Sequence, residues 1–221
     1  HNLKLIYDAA HCFGVTENGV SVCNYGDLSI LSFHATKVFN TFEGGAIVCH
    51  SKEMKQHIDD LKNFGFRDET TVIASGINAK MNEVQAAFGL LQLKYIDEAI
   101  SQRKKIAELY IKELASIPGL RFIITHSSLR MQNYSYFPIL ISEQEYGKSR
   151  DQIYEELKHN DIYARRYFYP LISNFPMYAH LPSAKKENVL VATKLADEVL
   201  CLPIYPDLPI HEVLSIISVL K

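Results

Sequence analysis

Apolar and polar positions alternate in short runs along the first part of this chain, and the spacing lengthens to a helical one further on. Leu3-Lys4-Leu5-Ile6-Tyr7 is an apolar run closed by Asp8-Ala9-Ala10-His11, and it predicts a buried strand over 3–7. Residues 28–33, introduced by Tyr25-Gly26-Asp27, predict a second strand, followed by a turn over 34–40. Glu43-Gly44-Gly45 opens a third strand over 46–49. Residues 51–64 carry Met54, Ile58 and Leu61 at helical spacing and stop near Gly65. From Asn82 to Ile117 there is no Pro, and apolar positions recur at Met81, Val84, Phe88, Leu91 and Tyr95, then Ile106, Leu109 and Leu114. That pattern predicts one long helix or two abutting ones, stopped by Pro118-Gly119. Beyond it, 121–125 and 136–142 read as strands, 149–158 as a helix capped by Ser149, and 189–200 and 211–220 as helices. Short strands alternating with loops and helices predict an α/β chain with a mixed or parallel sheet. The boundary falls near residue 100, between a sheet-rich domain over 1–100 and a smaller α+β domain over 101–221.

Composition narrows the picture. The 221 residues carry 23 Lys+Arg against 25 Asp+Glu, a formal charge of −2, which lacks the basic face that nucleic acid requires. No apolar run reaches the roughly 18 residues that span a bilayer, so no membrane partner is expected. Cys12, Cys23, Cys49 and Cys201 form no CxxC pair and read as reduced, mostly buried thiols of a cytoplasmic protein. The chain starts at His1 and enters a strand pattern within two residues, which suggests the downstream part of a longer protein.

The densest chemistry lies in Ser32-Phe33-His34-Ala35-Thr36-Lys37. A lone lysine at a strand end is ordinarily a solvated charge. Lys37 instead sits in a short turn between two apolar strands, where a desolvated amine loses its charge more readily and can condense with an aldehyde. Ser32 and Thr36 offer hydroxyl donors suited to a phosphate. Asp8, three residues before His11, stands at a strand's carboxyl end, where α/β sheets place ligand contacts. Its bland alternative is a turn cap, with His11 a satisfied core imidazole. A carboxylate there can keep a pyridinium nitrogen protonated and make the ring an electron sink. Carboxylate and lysine together suggest pyridoxal phosphate. Asp8, His11, Cys12, Cys23, His34, Cys49 and His50 are ligand types without zinc spacing, so no metal site is expected, and no G-x-S-x-G marks a serine nucleophile.

Five motifs then carry a resemblance. Asp8-Ala9-Ala10-His11-Cys12-Phe13-Gly14, Ser32 to Lys37, Glu43-Gly44-Gly45-Ala46, Gly76-Ile77-Asn78-Ala79-Lys80-Met81-Asn82-Glu83 and Leu202-Pro203-Ile204-Tyr205 resemble, in order, elements of the DegT/DnrJ/EryC1/StrS sugar aminotransferases. The resemblance implies a pyridoxal-phosphate-dependent transferase of fold type I, aspartate-aminotransferase-like, present here as part of the large domain plus a small α+β C-terminal domain. It implies transfer of an amino group, usually from glutamate, to a keto group of a nucleotide-linked deoxysugar. By the same resemblance Lys37 forms the Schiff base and shuttles the proton, and Asp8 pairs with the pyridine nitrogen. His11 contacts the ring or its phenolic oxygen, Ser32 holds the phosphate, and Asn78 reaches the phosphate in the other subunit of a homodimer. Relatives that dehydrate rather than transaminate carry His at the position of Lys37. Lys80, Arg166, Tyr167 and Phe168 are the expected sugar-nucleotide contacts; the bland alternative is that the aromatics pack the domain interface and Lys80 is an exposed helix-start charge. The Arg165-Arg166-Tyr167-Phe168-Tyr169-Pro170 stretch resembles that of enzymes making 3-amino-3,6-dideoxy or 4-amino-4,6-dideoxy hexoses on dTDP, and of the two a dTDP-3-keto-6-deoxyhexose is the expected substrate. Relatives also carry well over a hundred further residues upstream. A catalytically silent, dimerising relative or fragment is the alternative from another class.

Overall fold

The computed structural model describes residues 1, 3–123 and 130–221. They divide into two compact units, the first built on His1–Ile100 together with 130–133, the second on 101–123 and Tyr134–Lys221.

In the first unit, β1 (Ile6–Asp8) pairs in parallel with β4 (Leu28–Ser32), and β4 pairs antiparallel with β5 (Gly45–Cys49), giving the order β1-β4-β5. The sheet is therefore mixed. The first strand differs from expectation in two ways. It begins at Ile6 because the Leu5 amide donates to Asp27 Oδ2 (2.8 Å) and the Leu5 carbonyl accepts from the Asp27 amide (2.8 Å). It is also exposed rather than buried, because among the described residues little covers the sheet face that Ile6 shares with Ile30 and Ile47, which keep 57%, 45% and 48% of their surface. A small second sheet of β2 (Thr16–Glu17), β3 (Val20–Ser21) and β7 (Arg130–Met131), ordered β3-β2-β7, had no counterpart in the sequence pattern.

Helix α1 (Lys52–Lys62) starts where Ser51 Oγ accepts from the Met54 amide, and α2 (Glu83–Gln92) where Asn82 Oδ1 accepts from the Gln85 amide. The long apolar pattern after Asn82 is two helices. The chain tightens to three-residue hydrogen bonds at Lys94 and Tyr95 before α3 (Ile96–Leu114) begins.

In the second unit, β6 (Leu120–Phe122), β8 (Phe137–Ile141) and β9 (Val199–Leu202) form an antiparallel sheet ordered β6-β8-β9. The strand expected over 121–125 is this β6; its last two positions lie outside the described residues. After a short α4 (Glu143–Tyr146), α5 (Arg150–His159) opens on a full capping box between Ser149 and Gln152. Helix α6 (Leu190–Glu198) ends two residues earlier than expected, because Val199-Leu200-Cys201-Leu202 is a completely buried run that joins the sheet as β9. A short apolar run does not by itself distinguish strand from buried helix. Helix α7 (Ile210–Leu220) completes the unit. Its core gathers Tyr110, Phe137, Ile139, Ile153, Leu157, Leu200 and Val213, all fully buried.

Among the described residues no helix is long and apolar enough to cross a membrane. Among the described residues no cysteine is in a disulfide; Cys23 and Cys201 are buried, Cys12 and Cys49 half-buried. Burial pushes the Cys201 thiol up to about 11, which keeps it protonated and unreactive.

Candidate active site

Because β1 and β4 run parallel, their carboxyl ends lie at the same edge of the first sheet. Asp8 ends β1 and Ser32 ends β4. Past Asp8 the chain turns at once: Asp8 Oδ1 accepts from the Ala10 amide (3.2 Å) and the Ala9 carbonyl from the Cys12 amide (2.8 Å). That turn delivers His11. Past Ser32, Ser32 Oγ accepts from the His34 amide (3.4 Å), and His34 Nδ1 accepts from the Thr36 amide (3.2 Å). The Lys37 amide then closes on the His34 carbonyl (2.9 Å). The two turns meet through their side chains, with Lys37 Nζ 3.0 Å from His11 Nε2.

Three phenylalanines set this meeting. Phe13, two residues after His11, stacks on Phe39, two residues after Lys37, with ring centres 4.4 Å apart. Phe33 meets Phe39 edge-on at 4.8 Å. Val38 and Phe39 are buried, so the backbone on the far side of Lys37 is anchored in apolar packing. Asn133 adds a polar clamp, its Nδ2 donating to the carbonyls of His11 (2.8 Å) and Phe13 (2.9 Å). Sequence reasoning missed both devices. The aromatic spacing around His11 and Lys37 was a usable signal; a partner more than a hundred residues away left none.

The return to β5 depends on the glycines. Gly44 has φ +145°, and a Cβ there would stand 2.5 Å from Thr41 Oγ1 and 2.9 Å from Met81 Cε. Gly76 makes the next approach: its Cβ would fall 2.4 Å from the Leu61 carbonyl, so only glycine lets the 76–79 segment run against the end of α1. There the Ile77 amide donates to the Leu61 carbonyl and the Ala79 amide to that of Lys62, each at 2.9 Å.

Burial, and then the Lys37 charge, lower the pKa of His11 below its ordinary 6.5, while Asp8 pulls the other way. The ring is therefore neutral at pH 7, and Nε2 can accept from Lys37. Among the described residues Lys37 makes no ion pair with a carboxylate.

The structure brings together Lys37 and His11, with Asp8 near enough to act on the imidazole. Ser32 lies on the same turn, and its hydroxyl hydrogen remains to donate. The Thr36 hydroxyl instead engages His34 Nδ1 at 2.9 Å. Asn78 and Lys80 are exposed on the segment beside α1, and neither bonds to Lys37, His11 or Asp8 among the described residues. Lys80 Nζ sits 4.5 Å above the Phe64 ring and lines a largely apolar cleft of about 700 Å³ with Ile30, Ile47 and Met81. The remaining three residues belong to the second unit. Arg166 Nη1 donates to Asp151 Oδ1 (2.9 Å) and its guanidinium lies 4.3 Å over Tyr154. Tyr167 packs edge-on against Tyr136 at 5.2 Å, and Phe168 is 68% exposed.

An amine held by a neutral imidazole, a carboxylate at the adjacent strand end and a hydroxyl at the next turn form a donor set that fits an aldehyde-bearing, phosphorylated pyridine. The model of the DegT/DnrJ/EryC1/StrS aminotransferase family matches residues 1–221. The chain belongs to that family. A dTDP-4-amino-4,6-dideoxy-D-glucose transaminase of Shigella dysenteriae is 49% identical over 221 residues, covering 100% of this chain and 59% of the relative. One from Escherichia coli is 50% identical over 223 residues, with the same coverage. Among solved structures, DesI with its TDP-sugar product superposes with a TM-score of 0.89 at 34% identity, covering 100% of this chain and 55% of that one. DesV of S. venezuelae gives 0.90 at 25% identity, covering 99% and 57%. The chain thus spans a little over half the length of these family members, and its mixed α/β fold is part of the fold type I transferase architecture that they share.

Proposed function

We propose that this chain belongs to a pyridoxal-phosphate-dependent aminotransferase that places an amino group on a nucleotide-linked 4-keto-6-deoxyhexose, with glutamate as donor. The observation that carries the reading is the Lys37–His11 contact of 3.0 Å at the carboxyl ends of two parallel strands, with Asp8 closing the first of them. The sugar is drawn from the relatives at 49% and 50% identity, both dTDP-4-amino-4,6-dideoxy-D-glucose transaminases. Their names move the keto group to C4, away from the C3 suggested by the 165–170 stretch.

Pyridoxal phosphate, when bound, supplies an aldehyde to an amine and a protonated ring that drains electrons from the carbon losing its proton. Asp8 would hold the proton on the ring nitrogen. Ser32 would donate its hydroxyl to the phosphate, and Asn78, exposed at the surface of its unit, would reach the phosphate of a second copy in a homodimer. Lys37 Nζ would form the covalent attachment and afterwards carry the proton from one carbon to the other. His11 would face the ring's phenolic oxygen or Lys37. Lys80 and Arg166 are cations suited to the diphosphate, and Tyr167 and Phe168 are aromatic surfaces for the sugar nucleotide. A lysine at position 37 rather than an imidazole favours amino transfer over dehydration. The retained Asp8, His11 and Lys37 also count against a silent binding protein.

The test is a borohydride trap. The protein is incubated with pyridoxal phosphate, reduced and digested, and the phosphopyridoxyl group is sought on the peptide holding Lys37. A selective adduct there is the expected result, and Lys37→Ala should abolish both adduct and amino transfer. Asp8→Asn should retain the adduct and slow amino transfer by about 100-fold or more. Absence of label on Lys37 in the full-length gene product would refute the reading. Incubation with dTDP-4-keto-6-deoxy-D-glucose and its 3-keto isomer then separates the two carbons.

A further inference from the structure

The imidazole of His11 faces the amine of Lys37, not open space. An ordinary lysine has a pKa near 10.4, so at pH 7 roughly one amine in 2,500 carries the lone pair that condensation with an aldehyde needs. A carboxylate partner would lower that fraction further. Lys37 has an imidazole instead, at 3.0 Å, and His11 is held in place by the Asn133 clamp and the Phe13–Phe39 stack.

We propose that His11 is the proton acceptor that readies Lys37 for its cofactor: Nε2 takes one proton from the Nζ ammonium as the aldehyde arrives. The inference rests on the reading of the site as a pyridoxal-phosphate site. The step balances. The ammonium gives one proton to Nε2, the amine lone pair forms the new C–N bond, and the two remaining amine hydrogens leave with the aldehyde oxygen as water. Among the described residues, Lys37, from the turn after β4, and Asp8, at the end of β1, act on the ring. Burial holds the imidazole neutral and able to accept, and the Asp8 carboxylate stabilises the imidazolium once the proton has moved.

The experiment measures how fast the cofactor-free full-length protein captures pyridoxal phosphate, by borohydride quench at timed intervals between pH 6 and 9. His11→Asn should slow capture at pH 7 by about 100-fold. The deficit should shrink toward pH 9, where hydroxide can take the proton in place of the imidazole, and added imidazole should restore part of the rate. His11→Gln serves as the second variant if the first does not fold. Equilibrium binding of pyridoxamine phosphate, which cannot condense with Lys37, measures any lost contact with the cofactor ring, and the fall in capture rate should exceed the fall in this binding by about tenfold or more. Capture by the variants at the wild-type rate, or a deficit that imidazole and high pH leave unchanged, would overturn the role of His11 alone. A wild-type protein that captures no pyridoxal phosphate and binds no pyridoxamine phosphate would overturn the functional reading and this proposal together.

Discussion

Phe39 joins the packing of the first unit to the placement of Lys37, and replacing it separates two contributions. Its ring is 4% exposed, stacked on Phe13 with centres 4.4 Å apart and an 11° interplanar angle, and edge-on to Phe33 at 4.8 Å and 82°. Phe39→Ala removes a buried ring and leaves a cavity, which costs about 3–5 kcal/mol. Phe39→Leu keeps most of the apolar volume but forfeits two aromatic pairs, each worth about 0.5–1.5 kcal/mol, so it should cost about 1–3 kcal/mol. The difference between the variants is then the cavity term. Urea unfolding followed by circular dichroism gives the free energies, with the first unit's transition identified by the reactivity of Lys37. The borohydride trap on the folded variants gives the functional consequence: labelling at Lys37 should fall in Phe39→Ala and largely persist in Phe39→Leu. A Phe39→Ala cost below about 1 kcal/mol, or equal costs for the two variants, would refute the claim that the aromatic triplet anchors the lysine turn.

Two further outcomes follow from other parts of the molecule. Arg150 is 2% exposed; its Nη1 donates to the carbonyls of Ala196 and Val199, each at 2.9 Å, and its Nε to Asp151 Oδ1 at 2.7 Å. Arg150→Met should cost about 3–5 kcal/mol in the second unit's unfolding transition, and Arg150→Lys should recover only part of that, because an ammonium lacks the planar fork. The lowered pKa of His11 makes the unfolded chain bind more protons than the folded one below the ordinary value of 6.5. Stability contributed by the neutral ring is fully present above that value and is lost as pH falls through the lower folded value. Thermal unfolding between pH 7.5 and 5 should therefore show a smaller acid loss in His11→Asn than in the parent.

The chain's local grammar was enough to place much of the fold. Ser149 announces its helix because a side-chain oxygen three residues before a free amide caps it wherever the rest of the chain lies. The carboxylate and lysine at the ends of two apolar runs were legible for a similar reason, since a parallel pair of strands must bring those ends to one edge. Local pattern gave less at 199–202, where four consecutive apolar residues continue a helical run equally well. Pairing with β8 turned them into a strand. Nor did it reveal the exposure of β1, because exposure depends on what covers the face of its sheet. The contact of His11 with Lys37 was decided only in three dimensions. It depends on Asn133 closing over the His11 turn from 122 positions away and on three phenylalanine rings finding one another. Capping and periodicity are energies between near neighbours and are written along the chain. Which face an imidazole turns to an amine is set by packing between segments whose separation in sequence carries no signal.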